Sequence, residues 1–249
     1  MSIVIRDLHK SFGPKVVLKG FSVEARDGET LVILGGSGSG KSVALKHVVG
    51  LLTPDSGEVE VDGQIVSDLK REELFELRRK VGYVFQFAAL FDSMTLAENV
   101  AMGLHRKSDL DKEAIAERVE ECLRLVDLEG YSERTPAELS GGQRKRAGIA
   151  RAIATKPQYL LYDEPTTGLD PVTRAMIDQL ILRMSDELGV TGVVITHDMD
   201  SAFRVADRFA MLHDGRCRFQ GTPEEIRACD DPVVRGFIEG RPELMEMES

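Results

Sequence analysis

The sequence lacks a basic excess, a long apolar run and any pattern of a leader peptide. Lysine and arginine number 32 against 42 acidic residues, which gives a formal net charge of −10. Surfaces that bind nucleic acid usually carry a basic excess, so we expect no nucleic-acid partner. No apolar run reaches the roughly 18 residues that indicate a membrane span, and the first residues are already strand-like. We therefore expect a chain that is not secreted and does not cross a membrane by itself.

Cysteine is also scarce, and the three that occur, Cys122, Cys217 and Cys229, lack the spacing of a metal site. An odd number of cysteines in an intracellular chain is typical of free thiols. Cys122 lies on an apolar helical stripe, which favours a packing role. Four of the five histidines form no cluster, and we expect no chemical role for them: His9, His47, His105 and His213.

Hydrophobic patterning divides the chain into thirds. A length of 249 residues fits a single domain, 1–249, with a sizeable insertion. Strand patterns occupy residues 3–5, 21–24, 31–34, 58–61, 65–66, 81–85, 159–162 and 193–196. Helical patterns cover residues 69–80, about 93–135 and 171–188, and a capping box lies at 222–225. Tight turns at 62–63 and 214–215 predict hairpins, so we expect an antiparallel subsheet beside a buried parallel sheet.

Two apolar stripes at helical spacing predict which faces are buried. The first stripe is Ile115, Val119, Cys122, Leu123 and Val126, and the second is Met176, Ile177, Leu180, Ile181 and Met184. Asp170 followed by Pro171 predicts a helix N-cap with proline at the first helical position. The end of the chain, from Glu243 to Ser249, is acidic, and we expect it to be frayed.

The strongest motif is Gly35-Gly36-Ser37-Gly38-Ser39-Gly40-Lys41-Ser42, which fits the phosphate-loop pattern G-x4-G-K-[ST]. The motif follows the buried strand 31–34 and precedes a helical stretch. Glycines let successive backbone N–H groups point at phosphate oxygens, and the following helix adds its positive end. We expect Lys41 to reach the β- and γ-phosphates of a nucleotide and the Ser42 hydroxyl to ligate Mg²⁺. The alternative is a glycine-rich loop in which the lysine occurs by chance. It does not explain why the motif lies between a buried strand and a helix.

An apolar strand ends in a second informative pair, Asp163-Glu164. Asp163 can hold a magnesium ion, directly or through water. Glu164 lies one residue further, where the carboxyl end of a strand opens into a cleft, and it can orient and deprotonate an attacking water. Alone, such a pair is often an ordinary solvated strand end. Together with a phosphate loop it indicates a Mg-ATP site.

Between these motifs lies the signature segment, Leu139-Ser140-Gly141-Gly142-Gln143. Ser140 can cap a helix that starts near Gly141, which leaves backbone N–H groups and a positive dipole facing an anion. With the phosphate loop and the Asp-Glu strand, this segment resembles the ATP-binding cassette (ABC) ATPases. The resemblance covers about residues 2–240. It implies that Ser140, Gly141, Gly142 and Gln143 contact the γ-phosphate of the ATP bound by a second copy.

Four further positions match the family in the expected order, and their roles are implied by the resemblance. Gln86 resembles the glutamine that contacts Mg²⁺ and water and couples to the membrane partner. Asp170 belongs to a Gly-Leu-Asp segment that communicates across the dimer. His197 resembles the switch histidine that contacts the γ-phosphate. Phe12 matches the aromatic that stacks on adenine, often a tyrosine, so base selectivity is expected to be loose.

The resemblance implies an α/β fold of the P-loop NTPase type. We expect a mixed central sheet, an antiparallel β-subdomain and an inserted α-helical subdomain. The core with its β-subdomain is expected at about 1–86 and 156–249, and the helical subdomain with the signature segment at about 87–155. ATP and Mg²⁺ are the implied cofactors. The implied activity is ATP hydrolysis by a homodimer that holds two ATP molecules between its subunits.

Substrate class depends on finer likeness. Residues 85–100, the run Arg144-Lys145-Arg146-Ala147-Gly148 and the closing residues 231–240 resemble the lipid-transporting group of this family, the maintenance-of-lipid-asymmetry and mammalian-cell-entry ATPases. Gln143 departs from that group, which often carries methionine there. The group implies phospholipid transport in the bacterial envelope, at the cytoplasmic face of the inner membrane. Its partners would be permease subunits, a periplasm-facing lipid-binding subunit and a small regulatory subunit.

Three alternatives stay open. The chain could serve an importer of amino acids or another small solute. It could regulate a non-transport machine such as a cell-division complex. A soluble ABC ATPase of translation or DNA repair is the third, but such proteins typically carry two cassettes or long insertions, which this chain lacks.

Overall fold

The structure is a computed structural model, and it describes residues 2–105 and 110–245. Its strands, in chain order, are β1 (Ser2–Phe12), β2 (Lys15–Arg26), β3 (Thr30–Leu34), β4 (Ser56–Val61), β5 (Gln64–Ile65), β6 (Val81–Val84), β7 (Tyr159–Asp163), β8 (Thr191–Thr196), β9 (Arg208–His213) and β10 (Arg216–Gly221). Its α-helices are α1 (Lys41–Val48), α2 (Arg71–Lys80), α3 (Leu96–Ala101), α4 (Lys112–Leu125), α5 (Gly141–Ile153), α6 (Pro171–Leu188), α7 (Met199–Val205), α8 (Pro223–Arg227), α9 (Pro232–Ile238) and α10 (Pro242–Met245).

The larger sheet has six strands in the order β10-β9-β3-β8-β7-β6. Strands β9, β3, β8, β7 and β6 are parallel, and β10 joins the edge as an antiparallel hairpin partner. Its central strands are continuous apolar runs because both faces of the sheet are covered. Val32 and Leu34 pack with α5 and α6, whereas Leu31 and Ile33 pack with α1 and the smaller sheet.

The smaller sheet is antiparallel, in the order β2-β1-β4-β5. Its inward residues alternate with less buried ones, as in β1, where Ile3 and Ile5 are buried and Val4 between them is only partly buried. Asp62 and Gly63, both with positive φ, form the predicted turn between β4 and β5. The strand predicted at 65–66 lies one residue earlier, at Gln64–Ile65, because Val66 starts a short 3-10 helix. A mixed sheet beside an antiparallel sheet confirms the predicted α/β class.

Helices α3, α4 and α5 follow β6 and pack against one another, and α5 also packs against β6 and α6. The predicted α4 stripe is confirmed, since all five of its members are buried. Arg118 of α4 is also buried, and it donates to the carbonyls of Ile153 and Ala154 at the end of α5. These bonds fix α4 against the helix that carries the signature segment. The subdomain boundaries given above stay a prediction.

One predicted core residue is wrong: Met176 on α6 is 50% exposed. The buried stripe of α6 is Ile177, Leu180, Ile181 and Met184, which spans one helical face. Met176 lies about 100° round the helix from Ile177 and shares its side with exposed Val172. Apolar character alone therefore overstated the width of the stripe. The predicted fraying from Glu243 to Ser249 is not seen at residues 243–245, which belong to α10, and residues 246–249 lie outside the described residues.

Candidate nucleotide site

The phosphate loop connects the end of β3 to the start of α1. Gly40 is the N-cap of α1 and has φ 108, a conformation that L side chains rarely adopt. A Cβ atom at Gly40 would also lie 2.9 Å from Cγ1 of Val17. No side chain caps α1, so the N–H groups of its first turn have no side-chain acceptor. The loop is thus shaped to present N–H groups to an anion.

Lys41, the first residue of α1, is only 5% exposed. Its Nζ donates to the carbonyl of Gly35 at 2.7 Å and to that of Gly36 at 3.0 Å. The same nitrogen lies 3.7 Å from Oε1 of Glu164. Burial lowers the pKa of Lys41, and the nearby Glu164 carboxylate opposes that shift. The ammonium group therefore lies against the loop, between the phosphate-binding backbone and the Asp163-Glu164 pair.

Ser42 and Asp163 form the oxygen cluster that the sequence predicts as a magnesium site. Ser42 Oγ donates to Asp163 Oδ1 at 2.8 Å, and the Tyr83 hydroxyl donates to Asp163 Oδ2 at 3.0 Å. Burial and the Asp163 charge raise the pKa of Tyr83, so it stays a donor. A hydroxyl and a carboxylate fit Mg²⁺, which takes few protein oxygens and completes its shell with phosphate and water.

Glu164 is held from three sides at the mouth of the cleft. Its Oε2 lies 2.9 Å from His197 Nδ1 and accepts a bond from Thr167 Oγ1 at 2.9 Å. Its backbone has φ 51, and its N–H donates to the Ile195 carbonyl at 3.0 Å. The Glu164 side chain is therefore fixed beside a half-exposed imidazole, an arrangement suited to positioning a water.

These residues surround a cleft of about 390 Å³, within the range of small-molecule sites. It is lined by Phe12, Lys15, Val17, Ser37, Gly38, Ser39, Gly40, Lys41, Ser42, Val43, Gln86, Glu164 and His197. Phe12 is 45% exposed at the outer end, where a base could stack on its ring. The parallel strands explain this convergence, because β3, β6, β7 and β8 all end at the same edge of the sheet.

The signature segment and Asp170 do not line this cleft. Ser140 caps α5 as predicted: its Oγ accepts from the Gln143 N–H at 3.2 Å, and Gln143 Oε1 accepts from the Ser140 N–H at 2.8 Å. Asp170 caps α6, with bonds from the Val172 and Thr173 N–H groups at 3.0 Å. Ser140, Gly141 and Asp170 are exposed, so they are available to a second molecule.

Several residues at the site are not among those that the sequence predicts. Tyr83 contacts Asp163, Thr167 contacts Glu164, and Lys15 and Val17 line the outer cleft. Lys145 of α5 donates to the carbonyls of Gln86 and Glu164. A signal existed for Thr167, which follows Glu164 by three residues. None of the other residues has a signal in the sequence, since their proximity depends on which elements become neighbours.

Comparison with known proteins decides the family, because the sequence model of the ABC transporter family matches residues 18–167. The chain belongs to the ABC transporter ATPases. It is 43% identical to the sulfate/thiosulfate import ATP-binding protein CysA of Caulobacter vibrioides, over 96% of this chain and 70% of that one. It is 40% identical to the probable ribonucleotide transport ATP-binding protein mkl of Mycobacterium leprae (97% and 70%). It is 41% identical to the protein TRIGALACTOSYLDIACYLGLYCEROL 3 of Arabidopsis thaliana (96% and 73%).

A solved structure extends this likeness to the bound state. The ATP-binding cassette MJ0796, a dimer in a post-hydrolysis state bound to ADP and Pi, superposes with a TM-score of 0.80 at 36% identity. The match covers 88% of this chain and 98% of that one. This ABC ATPase therefore binds ATP and hydrolyses it to ADP and phosphate. Within residues 2–105 and 110–245, no helix is long and apolar enough to span a membrane.

Proposed function

We propose that two copies of this ATPase bind two ATP molecules, each between the phosphate loop of one copy and the signature segment of the other. The convergence of Lys41, Ser42, Asp163, Glu164 and His197 on one cleft carries this proposal. The signature segment supports it from the opposite direction, because Ser140 and Gly141 are exposed and the segment does not line its own chain's nucleotide cleft. A second molecule would complete the site.

Each group then has a defined task. The phosphate-loop N–H groups and Lys41 hold the β- and γ-phosphates, and the Phe12 ring stacks on adenine. Ser42, Asp163 and Gln86 would hold Mg²⁺, which when bound neutralises charge on the phosphate oxygens. Glu164 orients the attacking water and accepts its proton, while His197 contacts the γ-phosphate. Catalysis is positioning and electrostatic stabilisation, with little covalent chemistry by the protein.

Hydrolysis would open the dimer, because the charge that joined the two copies leaves with phosphate. We propose that this motion drives membrane permease subunits, with the ATPase bound peripherally at the cytoplasmic face of the inner membrane. The surface beside Gln86 supports a docking role, since Phe87 is 84% exposed and Phe91 is 49% exposed. Exposed aromatic side chains of this kind are common anchors in protein interfaces.

The cargo that we propose is phospholipid, moved together with a periplasm-facing lipid-binding subunit and a small regulatory subunit. The likeness of residues 85–100 and 231–240 to the lipid-transporting group supports it, and one relative is named for a galactolipid. Import of sulfate is the second candidate, because a sulfate import protein is 43% identical. These relatives match the chain to similar degrees, so identity does not rank the cargoes.

The catalytic proposal is tested by comparing the parent with Glu164→Gln. We expect Mg-dependent turnover in the parent, turnover reduced by about 100-fold or more in the variant, and a stable ATP-bound dimer of the variant in analytical ultracentrifugation. Glu24→Gln, an exposed acid on β2, is the matched control and should behave like the parent. A Glu164→Gln variant as active as the parent would remove Glu164 from the catalytic role.

The cargo is tested with the membrane subunits that copurify with the chain, reconstituted into vesicles. ATP-dependent movement of a fluorescent phospholipid, lost in Glu164→Gln, would support lipid transport. Uptake of labelled sulfate with no lipid movement would replace it by the importer function. Both assays use one preparation, so an inactive preparation is recognised by its lack of ATPase turnover.

A further inference from the structure

Helix α5 places a buried cation next to the site without facing the nucleotide cleft. Lys145 lies on α5, two residues beyond the signature segment, and is 7% exposed. Its Nζ donates to the Gln86 carbonyl at 2.6 Å and to the Glu164 carbonyl at 3.1 Å. Both acceptors are backbone oxygens of residues to which the proposed function gives roles. Lys145 itself is absent from the residues that line the cleft.

Burial of this ammonium group is unfavourable in isolation. Burial lowers the pKa of Lys145, and the charges of Glu164 and Asp163 oppose that shift. An apolar side chain of similar size would fill the same space without that desolvation cost. Packing alone therefore does not account for the lysine. The lysine adds two hydrogen bonds from one ammonium group. These bonds join two loops that belong to different parts of the chain.

The two loops that Lys145 joins both contain backbone in the left-handed region. Glu164 has φ 51, and Ala88 and Ala89, just after Gln86, have φ 58 and 51. Residues other than glycine hold this conformation only where their surroundings fix it. Arg151, also on α5, donates to the Ala88 carbonyl at 2.8 Å and to the Ala89 carbonyl at 2.5 Å. One face of α5 thus holds residues 86–89 from both ends.

The close approach of α5 to this loop fits the same picture. Gly148, between the two cations, packs so closely that a Cβ atom there would lie 3.1 Å from Cβ of Ala88. The loop therefore rests on α5 along its length. Because α5 begins at the signature segment, a displacement of this helix would reach Gln86 and Glu164 together.

We propose that Lys145 is a positioning residue that fixes the backbone of Gln86 relative to that of Glu164. This inference rests on the proposed roles of those two residues. Lys145 is not among the residues that line the cleft, so it acts through the placement of the two side chains. Its loss should lower kcat and leave nucleotide binding intact, because the phosphate loop does not depend on it.

The test is Lys145→Met beside Arg146→Met. Arg146 is the next residue on α5, and it also donates to backbone carbonyls, those of Val126 and Asp127, but away from the site. We expect Lys145→Met to lower kcat by about 10- to 100-fold, as misplacement of reacting groups does, with KM, nucleotide affinity and Tm near those of the parent. Arg146→Met should keep the parental kcat. Lys145→Arg, which retains donors, should recover part of the loss.

A second readout does not require turnover. The chain contains no tryptophan, so Phe87→Trp places a single reporter next to Gln86 on an exposed side chain. In this background Lys145→Met should lower the fluorescence anisotropy of the tryptophan, because the loop gains freedom. Arg146→Met should leave the anisotropy unchanged. Should Lys145→Met fail to fold, Lys145→Gln takes its place in both measurements.

The possible failures are distinguishable. Retained activity in Glu164→Gln would overturn the proposed function at its catalytic residue. A dead Glu164→Gln with parental kcat and parental anisotropy in Lys145→Met would overturn only the positioning role. A fall in kcat accompanied by an equal fall in nucleotide affinity would also overturn it, because that result assigns Lys145 to binding.

Discussion

Two helix N-termini carry glycine-rich segments in this molecule, and they differ in how their first turns are satisfied. Helix α1 has Gly40 as its N-cap and no capping side chain. Helix α5 has Ser140, with a reciprocal pair of bonds to Gln143. Since the first N–H groups of a helix have no partner within it, α1 is open towards its own cleft. The capping bonds stabilise α5 in the free chain and leave the N–H groups of Gly141 and Gly142 available to an anion.

The difference separates two kinds of site. The end of α1 is surrounded by its own chain's groups, since Lys41 and Ser42 contact the loop and Asp163. At the N-terminus of α5, Ser140 and Gly141 are exposed and do not line the nucleotide cleft of their own chain. We infer that the first binds nucleotide in a single copy, while the second acts only when two copies meet.

The largest expected effects come from Lys41→Met and Ser140→Ala. Comparing these two variants tests whether the N-termini of α1 and α5 act differently. Both should lower turnover by about 100-fold or more, because each removes stabilisation of the phosphoryl group. Only Lys41→Met should weaken nucleotide binding to the monomer, measured by titration calorimetry at a concentration where ultracentrifugation shows no dimer. If Ser140→Ala weakens monomer binding equally, the separation of the two ends is wrong.

A pair of alanine substitutions in the signature segment sharpens the comparison next. A Cβ atom at Gly142 would lie 2.3 Å from Cγ2 of Thr173 on α6, whereas at Gly141 the nearest atom, on Leu169, is 3.9 Å away. Overpacking of this kind costs about 1–3 kcal/mol, so Gly142→Ala should lower the free energy of unfolding and Gly141→Ala should not. Denaturant titration of both variants measures this. Equal losses would show that Thr173 does not confine Gly142.

Phe12→Ala gives a smaller effect confined to the α1 side. Stacking of a base on an aromatic ring contributes about 1–3 kcal/mol, so monomer affinity for ATP should fall by about 5- to 150-fold. Phe12→Tyr keeps the ring and should bind like the parent. A loss of dimerisation at saturating ATP, without a loss of affinity, would place Phe12 at the interface between copies.

The sequence predicts those features of the site that depend on neighbouring residues along the chain. The sequence predicts Asp163 and Glu164 because a buried strand and an acidic pair coincide in adjacent residues, whereas the role of His197 at the end of another buried strand is implied by the family resemblance. Ser140 and Asp170 were predicted as caps because capping depends on a few neighbours along the chain. Both kinds of inference use local information.

The contacts that complete the site depend on the order of strands and on which helix lies where. Tyr83 reaches Asp163 because β6 pairs with β7, and the apolar pattern of β6 does not specify its neighbour. A lysine among charged residues on a helix, such as Lys145, is usually solvated. Met176 fails for the opposite reason, since an apolar residue can lie on a polar face when the core face is already complete.

Gln143→Met has the smallest expected effect and tests whether the capping bonds at α5 matter to function. Gln143 accepts from the Ser140 N–H and donates to the Tyr131 hydroxyl at 3.3 Å. Methionine loses both bonds, but the Ser140 Oγ bond to the N–H of residue 143 remains possible, so stability should fall by about 1 kcal/mol. The N–H groups of Gly141 and Gly142 are untouched, and turnover should change by a few-fold at most. Thermal unfolding and steady-state ATPase assays measure the two effects. A loss as large as that of Ser140→Ala would mean that the glutamine side chain itself contacts the nucleotide.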